Sequence, residues 1–337
     1  MSKDTLNITE LNQYLEDNID TFKGLNSIEK FAGGQSNPTY HLKANSGEYV
    51  LRRKPDGELL KSAHAVDREF QVLKGLANTE VPVAKAFHLC EDDSVIGAMF
   101  YVMSFEQGRI FWNPSLPELK KAERAPIYQE LIRTLAAMHN VDLERANLCN
   151  YGRPGSYFER QVNRWSRQYR DSETETIAAM ETLLEWLPAN MPVDDGQVSL
   201  IHGDYRIDNI IFDPLEPKGL AVLDWELSTL GHPLADIAYF CMCLRLPKDG
   251  KIPGLCGIDR AAIGVPSEEE IVALYCKARG IDMIEHWNFY VVFSFFRLAA
   301  ILQGVYKRAL DGNASNSEAL AVGKEARVLA ELAIKLI

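Results

Sequence analysis

Basic charge is the first thing this chain of 337 residues is short of. Its 36 Lys and Arg stand against 47 Asp and Glu, a net charge of −11. Sequence-independent nucleic-acid binding needs a basic footprint, so a nucleic-acid partner is not expected. Cysteine is scarce and unpatterned. None of the six (Cys90, Cys149, Cys241, Cys243, Cys256, Cys276) forms a C-x-x-C pair. A chain of this size needs no disulfide staples, so reduced thiols in a cytoplasmic protein are expected. The segment Met1 to Glu10 is polar and has no apolar signal core. The longest apolar run, Phe289 to Leu302, is interrupted by Arg297 and falls short of the ~18 apolar residues a spanning helix needs. It reads as a buried helix, with no membrane partner. No repeat of fixed period, no low-complexity tract and no G-x-x-x-x-G-K-[ST] phosphate loop occurs. What is present is ordinary globular material, 47% hydrophobic and 25% charged.

The first hundred residues are β-rich. After a leading helix and connector over 1–24, strands are expected at Leu25 to Phe31, Pro38 to Ala44 and Glu48 to Arg53, with Asn45-Ser46-Gly47 as a turn. A helix follows around His64 to Leu76, where Val66, Phe70 and Leu73 recur at helical spacing and Glu69 borders the apolar stripe. Val81 to Cys90 and Ala98 to Met103 complete a five-stranded set. Beyond Phe105-Glu106-Gln107-Gly108 helices dominate, giving expected domains of 1–104 and 105–337. Ser115 with Glu118 and Ser267 with Glu270 fit capping boxes. Tyr128, Leu131, Leu135 and Met138 form an apolar face ending at His139. Phe158 to Tyr169 and Ile177 to Leu187 are helical in pattern, and a β interlude covers Val198 to Ile201, Asn209 to Phe212 and Leu220 to Leu223. The chain closes with two long helices near 284–310 and 318–337.

Polar chemistry is densest in Leu200-Ile201-His202-Gly203-Asp204-Tyr205-Arg206-Ile207-Asp208-Asn209-Ile210-Ile211 and in Ala221-Val222-Leu223-Asp224-Trp225-Glu226. In both, an apolar strand delivers a carboxylate at its end. Asn209 and Asp224 offer hard oxygen ligands suited to Mg²⁺. Asp204, five residues before Asn209, is placed to face an acceptor hydroxyl. That division of labour, one group for the nucleophile and others for phosphate charge, is what phosphoryl transfer requires.

H-x-D-x(4)-N followed by an apolar run and Asp resembles the catalytic and metal-binding segments of the protein-kinase-like fold. The form seen here, with Leu135-Ala136-Ala137-Met138-His139 and Gly231-His232-Pro233-Leu234-Ala235-Asp236, is similar to the aminoglycoside phosphotransferase and choline kinase family. Tyr49-Val50-Leu51-Arg52-Arg53-Lys54-Pro55, Gly152-Arg153-Pro154-Gly155-Ser156-Tyr157-Phe158 and His202-Gly203-Asp204-Tyr205-Arg206 resemble, more narrowly, the kinase-like domains fused to some acyl-CoA dehydrogenases and their stand-alone bacterial relatives. The likeness spans roughly residues 25–310.

The resemblance implies an α+β, two-lobed kinase-like fold: a small five-stranded antiparallel N-lobe with one helix, and a larger, mainly helical C-lobe. It implies ATP and Mg²⁺ as cofactors and a small-molecule hydroxyl as acceptor. Asp204 matches the catalytic Asp, and Asn209 and Asp224 match the metal ligands. Gly33, Gly34 and Ser36 match the loop covering the phosphates, and Ser104, Phe105 and Glu106 match the hinge that binds adenine. Glu69 matches the helix carboxylate that pairs with a third-strand cation. That cation is commonly Lys; here it is Arg52, with Lys54 two residues on, and either can hold the phosphates. The loop is also abbreviated, with no full G-x-G-x-x-G.

Plainer readings stand beside these. His202 is expected to be a packed, hydrogen-bonded histidine and Asp236 a brace for the catalytic loop. His139 reads as a helix C-terminal cap, and Trp225 as a packing residue. Arg206 and Asp208 either contact an acceptor or pair with each other. Arg160, Arg164 and Arg167 share a helix face, which is either solvated or, through Arg164, grips an anionic acceptor. Two alternatives use the same residues: a non-catalytic nucleotide-binding module, and a metal phosphohydrolase built from His202, Asp204, Asp224, His232 and Asp236. The favoured reading is an ATP-dependent phosphotransferase acting on a hydroxyacyl thioester or related metabolite rather than an aminoglycoside, with an acceptor region drawn from 151–169 and 287–306.

Overall fold

The computed structural model describes residues 6–31, 37–55, 65–312 and 319–337. The chain divides into two compact units. One comprises Met1–Ile110, Val141–Tyr151 and Asn209–Ser228; the other comprises Phe111–Asn140, Gly152–Asp208 and Thr229–Ile337.

The first unit opens with helix α1 (Ile8–Asn18), whose free N-terminal amides are capped by the Asn7 side chain at 3.1 Å from Thr9 N and 3.4 Å from Glu10 N. Strands β1 (Leu25–Lys30), β2 (Thr39–Ala44), β3 (Gly47–Arg53), β4 (Ala86–Cys90) and β5 (Phe100–Ser104) form one antiparallel sheet in the order β1-β2-β3-β5-β4. Period-two alternation turns Tyr40, Leu42 and Leu51 inward onto Leu11, Leu15, Phe22, Phe100 and Val102. Each such side chain, fully buried, contributes about 1.5–3 kcal/mol. Helix α2 (Val66–Leu76) buries Val66, Glu69, Val72, Leu73 and Leu76. The expected strand from Val81 is shorter, starting at Ala86, because Pro82 and its neighbours run as irregular backbone.

The same unit contains the hairpin of β7 (Ile210–Phe212) and β8 (Gly219–Val222), paired Ile210 to Val222. Arg68 of α2 ties its pieces together: one guanidinium nitrogen donates to Tyr151 O at 2.7 Å and Ser228 O at 3.4 Å, and the group lies 4.1 Å over the Tyr151 ring.

The second unit is mainly helical: α3 (Lys121–His139), α4 (Tyr157–Asp171), α5 (Ala178–Ala189), α6 (Leu234–Leu244), α7 (Arg260–Ile263), α8 (Glu268–Arg279), α9 (Trp287–Leu310), α10 (Ala319–Gly323) and α11 (Glu325–Ile334). A two-stranded ladder joins β6 (Ser199–Ile201) to β9 (Thr229–Gly231). The short β9 carried no sequence signal, because three residues are too few for alternation to show. Helix α9 is the spine, packed against α4, α5, α6, α10 and α11. It falls within the helix expected near 284–310; contrary to the reading of its apolar run as too short, its 24 residues are long and apolar enough to cross a membrane, yet 83% of the apolar window is buried inside the protein.

Three local expectations are corrected. Ser115 caps no helix. Its amide and hydroxyl both bond Asn113 Oδ1, at 2.9 and 2.8 Å, and α3 starts at Lys121, where the Glu123 carboxylate accepts the Lys120 amide at 2.8 Å. The last helix is two, divided at Gly323–Lys324, where a Cβ on Gly323 would come within 2.4 Å of Tyr306 Cβ. His139 does not cap its helix but is buried, as described below. The Ser267–Glu270 box is present, with amide-to-side-chain bonds of 2.8 and 3.2 Å.

Candidate active site

In the first unit, Arg52 and Glu69 meet. Arg52 Nε lies 2.8 Å from Glu69 Oε2, and the Glu69 side chain is 2% exposed. Tyr101 OH donates to Oε2 at 2.9 Å and Asn37 Nδ2 to Oε1 at 2.7 Å, so the carboxylate is satisfied on both oxygens. Tyr101 faces Arg52 directly in the β3–β5 register. Burial raises the Glu69 carboxyl against the opposing pull of Arg52; burial also disfavours the Arg52 charge, but Glu69, Tyr101 and Asp224 outweigh it and the guanidinium is held ionised. The second arm of Arg52 reaches Asp224 Oδ1 at 3.0 Å. Lys54 lies beyond the end of β3, its amide bonded to Met99 O at 3.0 Å. The strand alternation that placed it beside Arg52 has stopped by then, and Arg52 is the cation that meets the helix carboxylate.

Asn209 and Asp224 emerge at one end of the β7–β8 hairpin, where Leu223 N donates to Asn209 O at 2.8 Å. Asp224 has left-handed backbone, φ 61°, a conformation that costs a non-glycine residue on the order of 1 kcal/mol and aims its side chain out of the strand direction. Trp225 behind it packs, 3% exposed, with Nε1 donating to Val222 O at 3.0 Å. A carboxylate and an amide oxygen at one hairpin end are hard donors of the kind Mg²⁺ takes, with its remaining positions left to phosphate and water.

The hairpin is sewn to the hinge. Arg109 exchanges backbone bonds with Phe212 at 2.7 and 2.8 Å, and its Nε donates to Asp213 O at 2.8 Å. Gly108 lies so close that a Cβ there would sit 2.2 Å from Phe212 O. In the hinge itself the Ser104 amide donates to Lys85 O at 2.9 Å and the Phe105 amide to Glu48 O at 3.4 Å. The Ser104 hydroxyl bonds Glu106, and the Phe105 ring stacks on His41 at 4.3 Å. These two amides are therefore engaged within the protein. Gly33, Gly34 and Ser36 lie outside the described residues.

The second unit holds Asp204. Asp236 in the first turn of α6 is 1% exposed and accepts the amides of His202 at 2.6 Å and Gly203 at 2.9 Å. His139 Nε2 sits 3.3 Å from its Oδ2, and His139 Nδ1 is 2.7 Å from Tyr275 OH. Burial works against the Asp236 charge, but His139 and the His202 amide outweigh it and hold the carboxyl below its usual range; burial lowers His139, which stays neutral. His202, fully buried, accepts the Asp204 amide on Nδ1 at 3.2 Å. The loop is thus held from beneath by groups that never reach solvent.

Asp204 is gripped from the side. Tyr239 OH donates to Oδ1 at 2.7 Å, and Arg206 Nε is 3.5 Å from the same oxygen. Arg206 also pairs with Asp208 at 2.9 Å, so of the two readings of that pair, mutual pairing is what the structure contains. Burial, then Asp204, push the Tyr239 phenol well above its ordinary value, so it remains a donor. Tyr239 was not anticipated, although it lies three residues after Asp236 and so on the same helix face. Arg297 of α9 donates to Gly203 O at 2.8 Å with its guanidinium 5.6 Å from the Tyr239 ring. We predict that Tyr239→Phe lowers kcat by roughly 10-fold, a charge-assisted bond's worth, with the nucleotide KM unchanged. Steady-state kinetics at saturating acceptor would show it, and an unchanged kcat would remove Tyr239 from the site.

Among the described residues, no group of three or more His, Cys, Asp or Glu side chains is arranged to hold a metal ion. His232 bonds Asp195 at 3.1 Å and accepts the Leu234 amide at 3.2 Å.

A model of the phosphotransferase enzyme family matches residues 27–254. The chain belongs to this family. A crystal structure of a Ralstonia eutropha protein, provisionally named an aminoglycoside phosphotransferase, is 47% identical and superposes with a TM-score of 0.91 over 98% of both chains. Mouse acyl-CoA dehydrogenase family member 10 is 47% identical over 96% of this chain, which spans only 30% of that protein. A spectinomycin phosphotransferase in complex with ADP and spectinomycin shares the phosphotransferase fold, with a TM-score of 0.66, 13% identity, and 99% of each chain covered. The phosphotransferase fold and its five-stranded antiparallel sheet agree with the architecture expected from the sequence.

Proposed function

We propose that this phosphotransferase moves the γ-phosphate of ATP to a hydroxyl of a small molecule, and that the acceptor is a hydroxyacyl thioester or related metabolite. The observation that carries the reading is the cluster in which Arg52 joins the buried Glu69 to the part-exposed Asp224. A guanidinium desolvated between two carboxylates, one of them at a strand end beside Asn209, is a phosphate-and-metal constellation with no packing purpose of its own. Asn209 and Asp224 would hold Mg²⁺, whose chemistry is to neutralise charge on the β- and γ-phosphates. Asp204, held at Oδ1 by Tyr239 and Arg206, would orient the acceptor hydroxyl and take its proton. His202 and Asp236 keep that loop in place. The rest is positioning. The acceptor class is supported by the likeness to a protein named as an acyl-CoA dehydrogenase family member.

Calorimetry of ATP with and without Mg²⁺, on wild type and Asp224→Ala, tests this reading. Magnesium-dependent binding should appear in the wild type and be lost in the variant. A wild type that binds no nucleotide would overturn it in favour of a non-catalytic role.

A further inference from the structure

In an acidic protein, arginines without acidic partners stand out, and three of them gather in the second unit. Arg164 and Arg297 both lie against the Trp165 ring, with guanidinium carbons 5.0 and 5.8 Å from its centroid. Arg167 follows Arg164 on the same face of α4, along a groove of about 450 Å³ that also includes Arg160, Asn163 and Gln168 and ends at Asp171. None of Arg164, Arg167 and Arg297 makes an ion pair with a carboxylate among the described residues. Arg160 is committed to the carbonyls of Arg153 at 2.7 Å and Pro154 at 3.4 Å.

A second observation lies beside them. Tyr157, the first residue of α4, is 7% exposed. Arg297, Arg160 and Arg164 act electrostatically on its hydroxyl, against Asp236. Donors of this kind, a tyrosine hydroxyl and planar guanidinium groups braced on an indole, are suited to phosphate oxygens.

The cluster adjoins the catalytic loop. Arg297 donates to the carbonyl of Gly203, the residue before Asp204, and its other face lies over Tyr239, which holds Asp204. A molecule with its hydroxyl at Asp204 would meet Arg297 next and the α4 arginines beyond it. We infer that Arg164, Arg167, Arg297 and Tyr157 form a subsite for a phosphate-bearing portion of the acceptor. This rests on the phosphotransferase reading and deepens it, because it selects anionic acceptors and repels polycationic ones such as aminoglycosides.

The test is titration of coenzyme A, as the probe, into protein already saturated with AMP-PNP and Mg²⁺, so that the nucleotide site is filled. Wild type should bind, more weakly as salt rises. The exposed-site double variant Arg164→Glu/Arg167→Glu should lose at least about 10-fold in affinity, the scale of lost charged hydrogen bonds, with AMP-PNP affinity unchanged as the control for folding. A parallel arm uses inorganic pyrophosphate. If pyrophosphate binds with the same dependence on the two arginines and coenzyme A does not, the phosphate subsite stands and its ligand is a free phosphate ester. If neither probe responds to charge reversal while AMP-PNP binds normally, the subsite is overturned. If AMP-PNP itself fails to bind, the phosphotransferase reading falls, and the subsite with it.

Discussion

Replacing Asp204 with Asn or Ala should lower kcat by about 10³-fold, within the 10²–10⁴ range of a positioned general base, while nucleotide affinity stays within about 2-fold of wild type. The two substitutions separate position from chemistry. An Asn amide oxygen can still accept from Tyr239 and keeps the side chain in place. It cannot take a proton. If the carboxylate acts as a base, Asn and Ala should be equally damaging; if it acts only to orient the hydroxyl, Asn should retain much of the rate. ADP release with a hydroxyacyl thioester as acceptor measures both. An Asn variant above a tenth of wild-type rate would remove the base role. Tyr239→Phe, with its smaller predicted loss, provides the intermediate point, since it loosens the carboxylate without removing it.

The largest effect on stability should come from Asp236→Ala. This carboxylate is buried, accepts two backbone amides and sits against His139. Its removal leaves the His202 and Gly203 amides without that acceptor in the interior. Each buried donor left unpaired costs about 1–3 kcal/mol, or roughly 2–6 kcal/mol for the two. At a few degrees per kcal/mol for a chain of this size, the midpoint should fall by roughly 10 °C. Thermal denaturation measures it, and a shift below about 2 °C would mean the loop is held by something else. The same network sets an acid limit in the wild type. His139 is lowered by burial in the folded state, so below its unfolded value of about 6.5 the unfolded chain takes up a proton that the folded one refuses. Stability therefore declines as pH falls from there. Asp236, depressed when folded, contributes fully above about 3.9, and its contribution is lost as pH falls through its lower folded value. The contribution of this pair to the denaturant midpoint should fall on acidification, while the buried Glu69, raised in the folded state, acts in the opposite direction.

Much of this was legible in the sequence because it is carried by local pattern. Strand alternation in Tyr40 and Leu42, helical spacing in α3, and carboxylates at the ends of apolar strands are short-range signals. Asp204, Asn209 and Asp224 could be picked out by spacing alone. The rest depends on pairs far apart in the chain. That Tyr101 and Asn37 satisfy Glu69 follows from sheet register and from where α2 packs, neither of which sequence spacing reveals. His139 looked like a helix cap because it ends a helix; its partner Asp236 is 97 residues away. Ser115 looked like a cap because the S-x-x-E spacing is blind to Asn113 competing for the same serine. Arg297 registered only as an interruption in an apolar run, whereas its guanidinium reaches the backbone of the Asp204 loop.

The close approach of Gly108 to Phe212, with Arg109 locked beside it, binds the hinge to the hairpin that carries Asn209 and Asp224. Arg52, Glu69, the hinge and both proposed metal ligands thus fall in one compact unit, and Asp204 and the arginine subsite fall in the other. In evolutionary terms the proposed donor and acceptor groups would then be separately heritable. Substitutions along α4 and α9 could change the alcohol without altering the groups proposed to hold the nucleotide, and any side chain at Gly108 would strain the unit that carries those groups.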